Sequence, residues 1–357
     1  MNVNILMSNQ FFRDHCSYSF VYPIIKSINL INDKGIKIKF IYNLNKNSFD
    51  CDTLIIDSRF VGGSVCNAKY IDFLNKYKSK KNKIIFSDTA DNSGQLKIDY
   101  LNLADSYWKG QVLKNKNEYM SVHYGGRLFT NYYNQKFSIK DKDEIYSQPV
   151  TKSKLLKKIK LSWNMGLADH GMFAHIKQKL FSFFRFNNLI SNTASYKKPN
   201  NERIQNISCR IGVNYARKSV QFQREKISKI LVKFLETKKV GRLKYLNEIK
   251  NSKFVVSPFG WGELCPRDFE TFLYGAVLIK PEMETINTWP NWYIPNKTYI
   301  PFLWDLSNFE TLLDNITKNY NNLKEIAVNA QNKYLYFTIG NKSEEFFVNR
   351  FIKLIKI

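Results

Sequence analysis

The sequence contains no apolar run long enough to cross a bilayer, so none of its 357 residues reads as part of a membrane-spanning helix. Cysteine is scarce: Cys16, Cys51, Cys66, Cys209 and Cys265 are odd in number, scattered, and never form a CxxC pair. That excludes a disulfide framework and a thiolate zinc site, and it predicts reduced thiols in a cytoplasmic protein. Histidine numbers only 4, and His170 and His175 in "HGMFAH" have no carboxylate nearby beyond Asp169, which is too little for a metal site. There is no GxSxG elbow, no Walker loop and no GxGxxG. The opening "MNVNILMSNQFFRD" is too short and polar for a secretory signal and reads as a first buried strand. No fixed-period repeat and no low-complexity segment is present. Acidic residues are the other shortage, with 30 Asp and Glu against 55 Lys and Arg, a formal net charge of +25.

What is present belongs to a folded protein. Hydrophobic residues make up 44% and aromatics 15%, and the length suits two domains with cores of their own. The positive charge admits a nucleic-acid partner or an anionic membrane surface. It also fits biased codon usage, because Lys is dispersed and runs such as "YKSKKNK" look like solvated helix ends. Codon bias with an anionic substrate or membrane surface is the preferred reading, and no nucleic-acid partner is expected.

The first part alternates strands and helices. "VNILMS", "IKIKFIYNL", "DTLIID" and "NKIIFSD" read as strands, with "SFVYPIIKSINLIND" and "CNAKYIDFLNKYKSK" as helices between them. Such alternation predicts an α/β fold with a parallel sheet, whose ligands lie beyond the carboxyl ends of the strands. The loop "DTADNSGQ", carrying Asp88, Asp91 and Gly94, falls at such an end. The polar stretch "SNTASYKKPNNERIQN" reads as a linker before a second α/β unit, giving domains at 1–195 and 203–340. In "SNFETLLDNI" Ser307 and Glu310 form a capping-box pattern, and residues 341–357 form an amphipathic helix with Phe347, Phe351 and Ile355 on one stripe. In "HIKQKLFSFFRFNNLI" and just before it, Phe173, Ile176, Leu180, Phe183 and Phe184 recur at helical spacing with Lys177, Lys179 and Arg185. A core-facing helix is the expected reading, and a helix lying on an anionic bilayer is the alternative.

The densest signal is "VSPFGWGELCPRDFETFLYGAVLIKP" at 256–281. A strand ends at Ser257, Gly260 and Gly262 make the turn, Pro266 opens a helix, and Gly275 closes it. Free N–H groups at that helix start suit a phosphate, and Arg267 adds a forked donor. Glu270 lies one turn further, placed to accept from a diol. The bland alternatives are that Asp268 merely favours the helix dipole and that Arg267 and Glu270 pair on the surface.

This stretch resembles the donor-binding core of GT-B glycosyltransferases, most of all the exostosin-like and "family 1" transferases of bacterial surface-polysaccharide clusters. Their S-K-F-x-x-x-P-x-G turn, R-x-x-E helix and following Gly are matched by Ser252, Lys253, Phe254, Pro258, Gly260, Arg267, Glu270 and Gly275. The likeness runs over about 203–312, including Trp304 and Asp305, and is architectural elsewhere. It implies two Rossmann-like domains facing each other across a cleft, with the terminal helix packing back on the first. It also implies a nucleotide-sugar donor held by the second domain and a glycan or lipid-linked acceptor. Glu270 would hold the ribose or sugar, and Arg267 the diphosphate. Ser257, Gly260, Gly262, Glu263 and Asp268 would line the donor site, with Arg210, Arg217 and Arg224 as further cations. Glu263 and Glu270 stand one residue closer than the E-x7-E pair of many retaining members, so the stereochemistry stays open.

An inverting reaction also needs a base from the first domain. Asp91 is preferred over Asp88 and His123. No metal or other cofactor is expected, and "DCD" at 50–52 and "DKD" at 141–143 are too short to argue for one. The competing readings are a basic nucleic-acid binder and a sugar-binding relative without catalysis.

Overall fold

The computed structural model describes residues 1–62, 68–78, 82–184, 186–190 and 195–356, so Cys66, Arg185 and the start of the expected linker lie outside it. Six strands of the first domain pair in parallel: β1 (Asn2–Leu6), β2 (Lys37–Ile41), β3 (Thr53–Asp57), β4 (Lys83–Asp88), β5 (Ser106–Lys109) and β7 (Ile159–Leu161). Their order is β2-β1-β3-β4-β5-β7. β3 and most of β1 and β4, each with two or more consecutive apolar residues, lie out of solvent, as a sheet covered on both faces requires. The half-exposed β2, with Lys37 and Lys39, forms one edge, where charge discourages further pairing. Helices α1 (His15–Lys26), α2 (Ile28–Asp33), α3 (Ala68–Tyr77), α4 (Ile98–Leu103), α5 (Leu128–Phe137) and α6 (Ala174–Phe184) belong to this half. The first expected helix thus starts earlier, where Asp14 accepts from the N–H groups of Cys16 and Ser17, and it breaks at Ser27.

The second sheet is also parallel, with β8 (Gln205–Ser208), β9 (Ser252–Val256), β10 (Val277–Pro281) and β12 (Ile300–Phe302) in the order β12-β10-β9-β8. Its helices are α7 (Lys218–Leu231), α8 (Arg242–Asn251), α9 (Pro266–Leu273), α10 (Phe309–Lys318) and α11 (Tyr320–Thr338). Helix α12 (Ser343–Lys356) returns to the first domain. Its stripe of Phe347, Phe351 and Ile355 is buried, with Trp163 edge-on to Phe347 at 5.0 Å and Trp108 edge-on to Phe351 at 6.3 Å. The architecture is the one the resemblance implies: two parallel α/β domains with the last helix laid back across the first.

Three sequence expectations change. The polar stretch before β8 is no loose tether, because the buried Arg203 guanidinium donates to the carbonyls of Lys198, Ile249, Lys250, Ser252 and Tyr274. Ser307 does not box-cap α10; its N–H and hydroxyl both turn back to Asp305. Helix α6 does not face the core with its aromatic stripe. Only Phe181 on its opposite side is buried, at 3% exposure, while Phe183 is 71% exposed.

The two domains share one buried cluster, in which Leu6 and Phe20 of the first join Phe269, Trp292 and Tyr334 of the second. Strands β6 (Gln111–Leu113) and β11 (Ile286–Thr288) pair antiparallel across the boundary. Asp141 of the "DKD" run is buried and caps α7 from the other domain, accepting from the Ser219 N–H at 2.8 Å and hydroxyl at 2.7 Å. Glu263 reaches the other way, accepting from the Ser93 N–H at 3.0 Å and hydroxyl at 2.8 Å. Gly262 lies so close that a β-carbon there would meet the Asp91 carbonyl oxygen at 1.7 Å.

Gly262→Ala must therefore push the domains apart locally. We expect a loss of about 2 kcal/mol or more in urea unfolding, the scale of overpacking a well-filled site. An unchanged unfolding midpoint would sink this account of the contact.

Candidate functional site

In the first sheet the strand order reverses between β1 and β3, and a crevice forms beyond the carboxyl ends at such a point. The first turn of α1 sits there. Asp14 caps it, and the Ser17 hydroxyl donates to Asp57 at the end of β3, which holds His15 and Cys16 toward the second domain. A cavity of about 230 Å³ lies at this end of the boundary. The first domain contributes Arg13, His15, Asp169, His170 and His175, and the second contributes Arg242, Pro266 and Glu270. A smaller cavity of about 40 Å³ is lined by Cys16, Asp88, Asp91, Gln111 and Asn164.

Glu270 is buried and both its oxygens are engaged. Oε1 accepts from Arg242 Nη1 at 2.9 Å, and Oε2 accepts from the Tyr245 hydroxyl at 2.8 Å. This fixes the carboxylate's plane at the cavity wall, and an ionised carboxylate keeps further lone pairs for a ligand hydroxyl. Arg242, the first residue of α8, also donates to the Gly171 carbonyl, and its buried Nε has no hydrogen-bond partner among the described residues.

Three of the 4 histidines gather at this cavity. His170 donates from Nε2 to the Met165 carbonyl at 2.8 Å and stacks on Phe269 at 5.2 Å. His15 meets His170 edge-on at 6.4 Å, and its buried Nε2 has no partner among the described residues. Burial, then the neighbouring His170 and His175 rings, push His15 down to about 4 against the opposing pull of Asp91 and Glu270. Burial lowers His170, and burial followed by Arg242 lowers His175. All three imidazoles are therefore neutral near neutral pH and keep a lone pair.

Of the residues singled out from sequence, Glu270 lines the larger cavity and Asp91 the smaller. Asp91 Oδ1 accepts from the Cys16 thiol at 2.8 Å, and its carbonyl accepts from Gln111. The others serve the fold. Asp268 is fully buried, accepting from Ser257 at 2.5 Å, Tyr293 at 2.7 Å and Cys265 N–H at 3.2 Å, and pairing with Lys280 at 2.9 Å. That network also occupies Ser257 and closes the start of α9 onto itself, so this helix end is not an open phosphate cradle. Arg267 turns from the cavity to the Arg210 carbonyl, with its guanidinium 5.9 Å from the Tyr245 ring centre. The expected surface pair of Arg267 with Glu270 is replaced by Arg242 with Glu270.

Arg210 is engaged by Glu248 and Glu236, Arg217 reaches the Gly125 carbonyl at 3.4 Å, and Arg224 binds the Gly212 and Phe259 carbonyls. Glu263 is the interdomain clamp, and burial raises its pKa. Gly260 has room for a β-carbon, and neither it nor Gly262 adopts positive φ; the close approach at Gly262 is by the other domain's backbone. Among the base candidates, burial pushes Asp88 up, but Lys109 at 2.7 Å and Tyr107 hold it below the ordinary range. His123 is buried against the Glu118 carbonyl, outside both cavities. The Asp52 carboxylate, just before β3, accepts from the Asn2 N–H at the start of β1, at the amino ends of the strands and away from the crevice. Among the described residues no three His, Cys, Asp or Glu side chains are grouped to hold a metal ion, and no helix is long and apolar enough to cross a membrane.

Sequence reasoning missed His15, Arg242 and Tyr245, and set aside His170 and His175. One signal was available for His15: it follows β1 as Asp91 follows β4, at a strand's carboxyl end.

No family profile and no curated protein matches the chain. Solved structures do align along its length. Alr3699/HepE from Anabaena, in complex with UDP-glucose, is 9% identical with a TM-score of 0.45, over 100% of each chain. A glycosyltransferase from Rickettsia africae ESF-5 is 7% identical with a TM-score of 0.43, over 99% of this chain and 97% of that one. MurG from Acinetobacter baumannii is 8% identical with a TM-score of 0.40, over 100% and 99%. At such values the chain is similar to them in outline only. The site rests on its own residues.

The depressed imidazole makes a pH prediction. Because the unfolded chain binds a proton at His15 near its ordinary 6.5 and the folded chain only near 4, this stability is complete above about pH 6.5 and is lost as pH falls toward 4. His15→Asn should flatten that limb by roughly 1 kcal/mol or more in urea unfolding. Identical limbs in the two proteins would show that His15 is not held neutral.

Proposed function

We propose that the chain is a GT-B glycosyltransferase, moving a sugar from a nucleotide-sugar donor to a glycan or lipid-linked acceptor in surface-polysaccharide synthesis. The observation that carries this reading is the convergence of Glu270, Arg242 and three neutral imidazoles in one cavity between two parallel sheets. A sugar donor presents hydroxyls for a fixed carboxylate and a diphosphate for guanidinium groups.

In the reaction, the bond from the anomeric carbon to the diphosphate oxygen breaks and one to the acceptor oxygen forms. The acceptor's proton needs a base, and we assign that role to His15 rather than Asp91, because its Nε2 is unengaged and the ring is neutral. Asp91, held by Cys16, is assigned to the acceptor side beside it. Glu270, oriented by Arg242 and Tyr245, accepts from hydroxyls of the ribose or the sugar. Arg242, with Arg13 at the rim, faces the leaving diphosphate and offsets its charge. The scheme asks for no metal ion. The residues of "VSPFGWG" support this site from behind by holding the domains together.

A thermal-shift titration with UDP, GDP and CMP tests the donor site. One nucleotide should stabilise the protein by about 2.7 kcal/mol at a hundredfold excess over Kd, and Glu270→Gln should weaken that response. His15→Ala should keep the nucleotide response and lose about a hundredfold or more in transfer. No response to any nucleotide, with salt-sensitive binding of oligonucleotides instead, would replace this reading with a nucleic-acid one.

A further inference from the structure

Helix α6 presents two unlike faces. Inward, Ala174, His175 and Gln178 form one wall of the larger cavity, Gln178 donates to the Phe12 carbonyl, and Phe181 packs edge-on to Phe11 at 6.5 Å. Outward, Phe173, Ile176, Leu180, Phe183, Phe184 and Phe186 are all exposed. Phe184 and Phe186 stack on each other at 5.9 Å without reaching the core. A monomer in water has no reason to gather six large apolar side chains within fourteen residues on one open surface.

Charge chooses the occupant. From 174 to 190 the sequence contains Lys177, Lys179 and Arg185 and no Asp or Glu. Lys177 leans on Asp169 at 3.4 Å, and Lys179 is exposed at the edge of the apolar stripe, where its stem can lie along the apolar surface with the ammonium at phosphate level. The whole chain carries +25, so a second copy brought to this face would meet long-range repulsion. A negatively charged lipid surface meets both features, taking the rings among its acyl chains and the ammonium groups among its headgroups.

We infer that α6 docks this protein on an anionic bilayer through the stripe from Phe173 to Phe186. Because the same helix walls the cavity, the docked membrane lies about one helix diameter, roughly 10 Å, from it. A lipid-linked acceptor would then reach the site without leaving its leaflet. This last consequence rests on the transferase reading; docking itself does not.

The test is flotation of the full chain with phosphatidylcholine vesicles, with and without phosphatidylglycerol. The wild type should float only with the anionic vesicles and be released by salt. The double variant Ile176→Asn, Phe183→Asn should bind at least about tenfold more weakly, since each exposed apolar side chain it removes would be buried on docking. Its thermal midpoint should equal the wild type's, because both residues lie outside the core. Docking is overturned if the wild type stays free of anionic vesicles at low salt, or if the double variant floats equally well. It is also overturned if sedimentation shows a dimer that the same substitutions dissociate. Vesicle binding without any nucleotide response would leave docking standing and remove the transferase reading, and the converse result would do the opposite.

Discussion

The carbonyl of Asp91 occupies the space that a β-carbon on residue 262 would fill, and the rest of the site depends on that contact. With Gly262 in place, the loop after β4 seats on the turn after β9, and Ser93 reaches Glu263 with both its N–H and its hydroxyl. The Arg127 guanidinium adds a bond from Nε to the Trp261 carbonyl at 2.5 Å. Further out, β6 and β11 close a two-stranded ribbon, and Trp292 Nε1 donates to Asn164 at 3.1 Å. Each bond is modest alone, but together they hold two sheets at a fixed separation. The cavity carrying His15 and Glu270 has its shape because of that separation.

Two buried ion pairs use the same chemistry, one in each domain. Asp88 joins Lys109 and the Tyr107 hydroxyl, and Asp268 joins Lys280 and the Tyr293 hydroxyl. Removing one partner from such a pair leaves an uncompensated charge, which costs about 3–5 kcal/mol, so these carboxylates are committed to position. Glu270 is different. Its cation, Arg242, stands at the cavity wall and is partly exposed, so the pair faces space a ligand can enter. The distinction between a carboxylate closed inside the fold and one that faces a cavity lies in what surrounds it, since Asp268 and Glu270 are two residues apart on one short helix.

Strand-helix alternation, the Pro266 start and Gly275 stop of α9, and the apolar stripe of α12 were legible because they follow from local periodicity and backbone preference. Gly275, at φ 66, is the positive-φ stop that the pattern asks for. The capping pattern at Ser307 was misread because Asp305, two residues back, competes for the same hydroxyl. The stripe on α6 was read as core because spacing shows that a face is apolar and says nothing about what covers it.

The sequence by itself determined the class of fold and singled out two residues that line the cavities, Glu270 and Asp91. Both are local properties: a period of apolar residues, and charged residues in the segments that follow strands. Only the tertiary structure decided the rest. Arg267 and Arg242 carry the same guanidinium, and Asp268, Glu263 and Glu270 the same carboxyl group. Which cation faces the cavity, which carboxylate clamps the domains, and why His15 shares a cavity with His170 and His175 are all settled by contacts between residues far apart in the chain. Burial and neighbouring charge set the chemistry of a side chain, and neither exists until the two domains have packed.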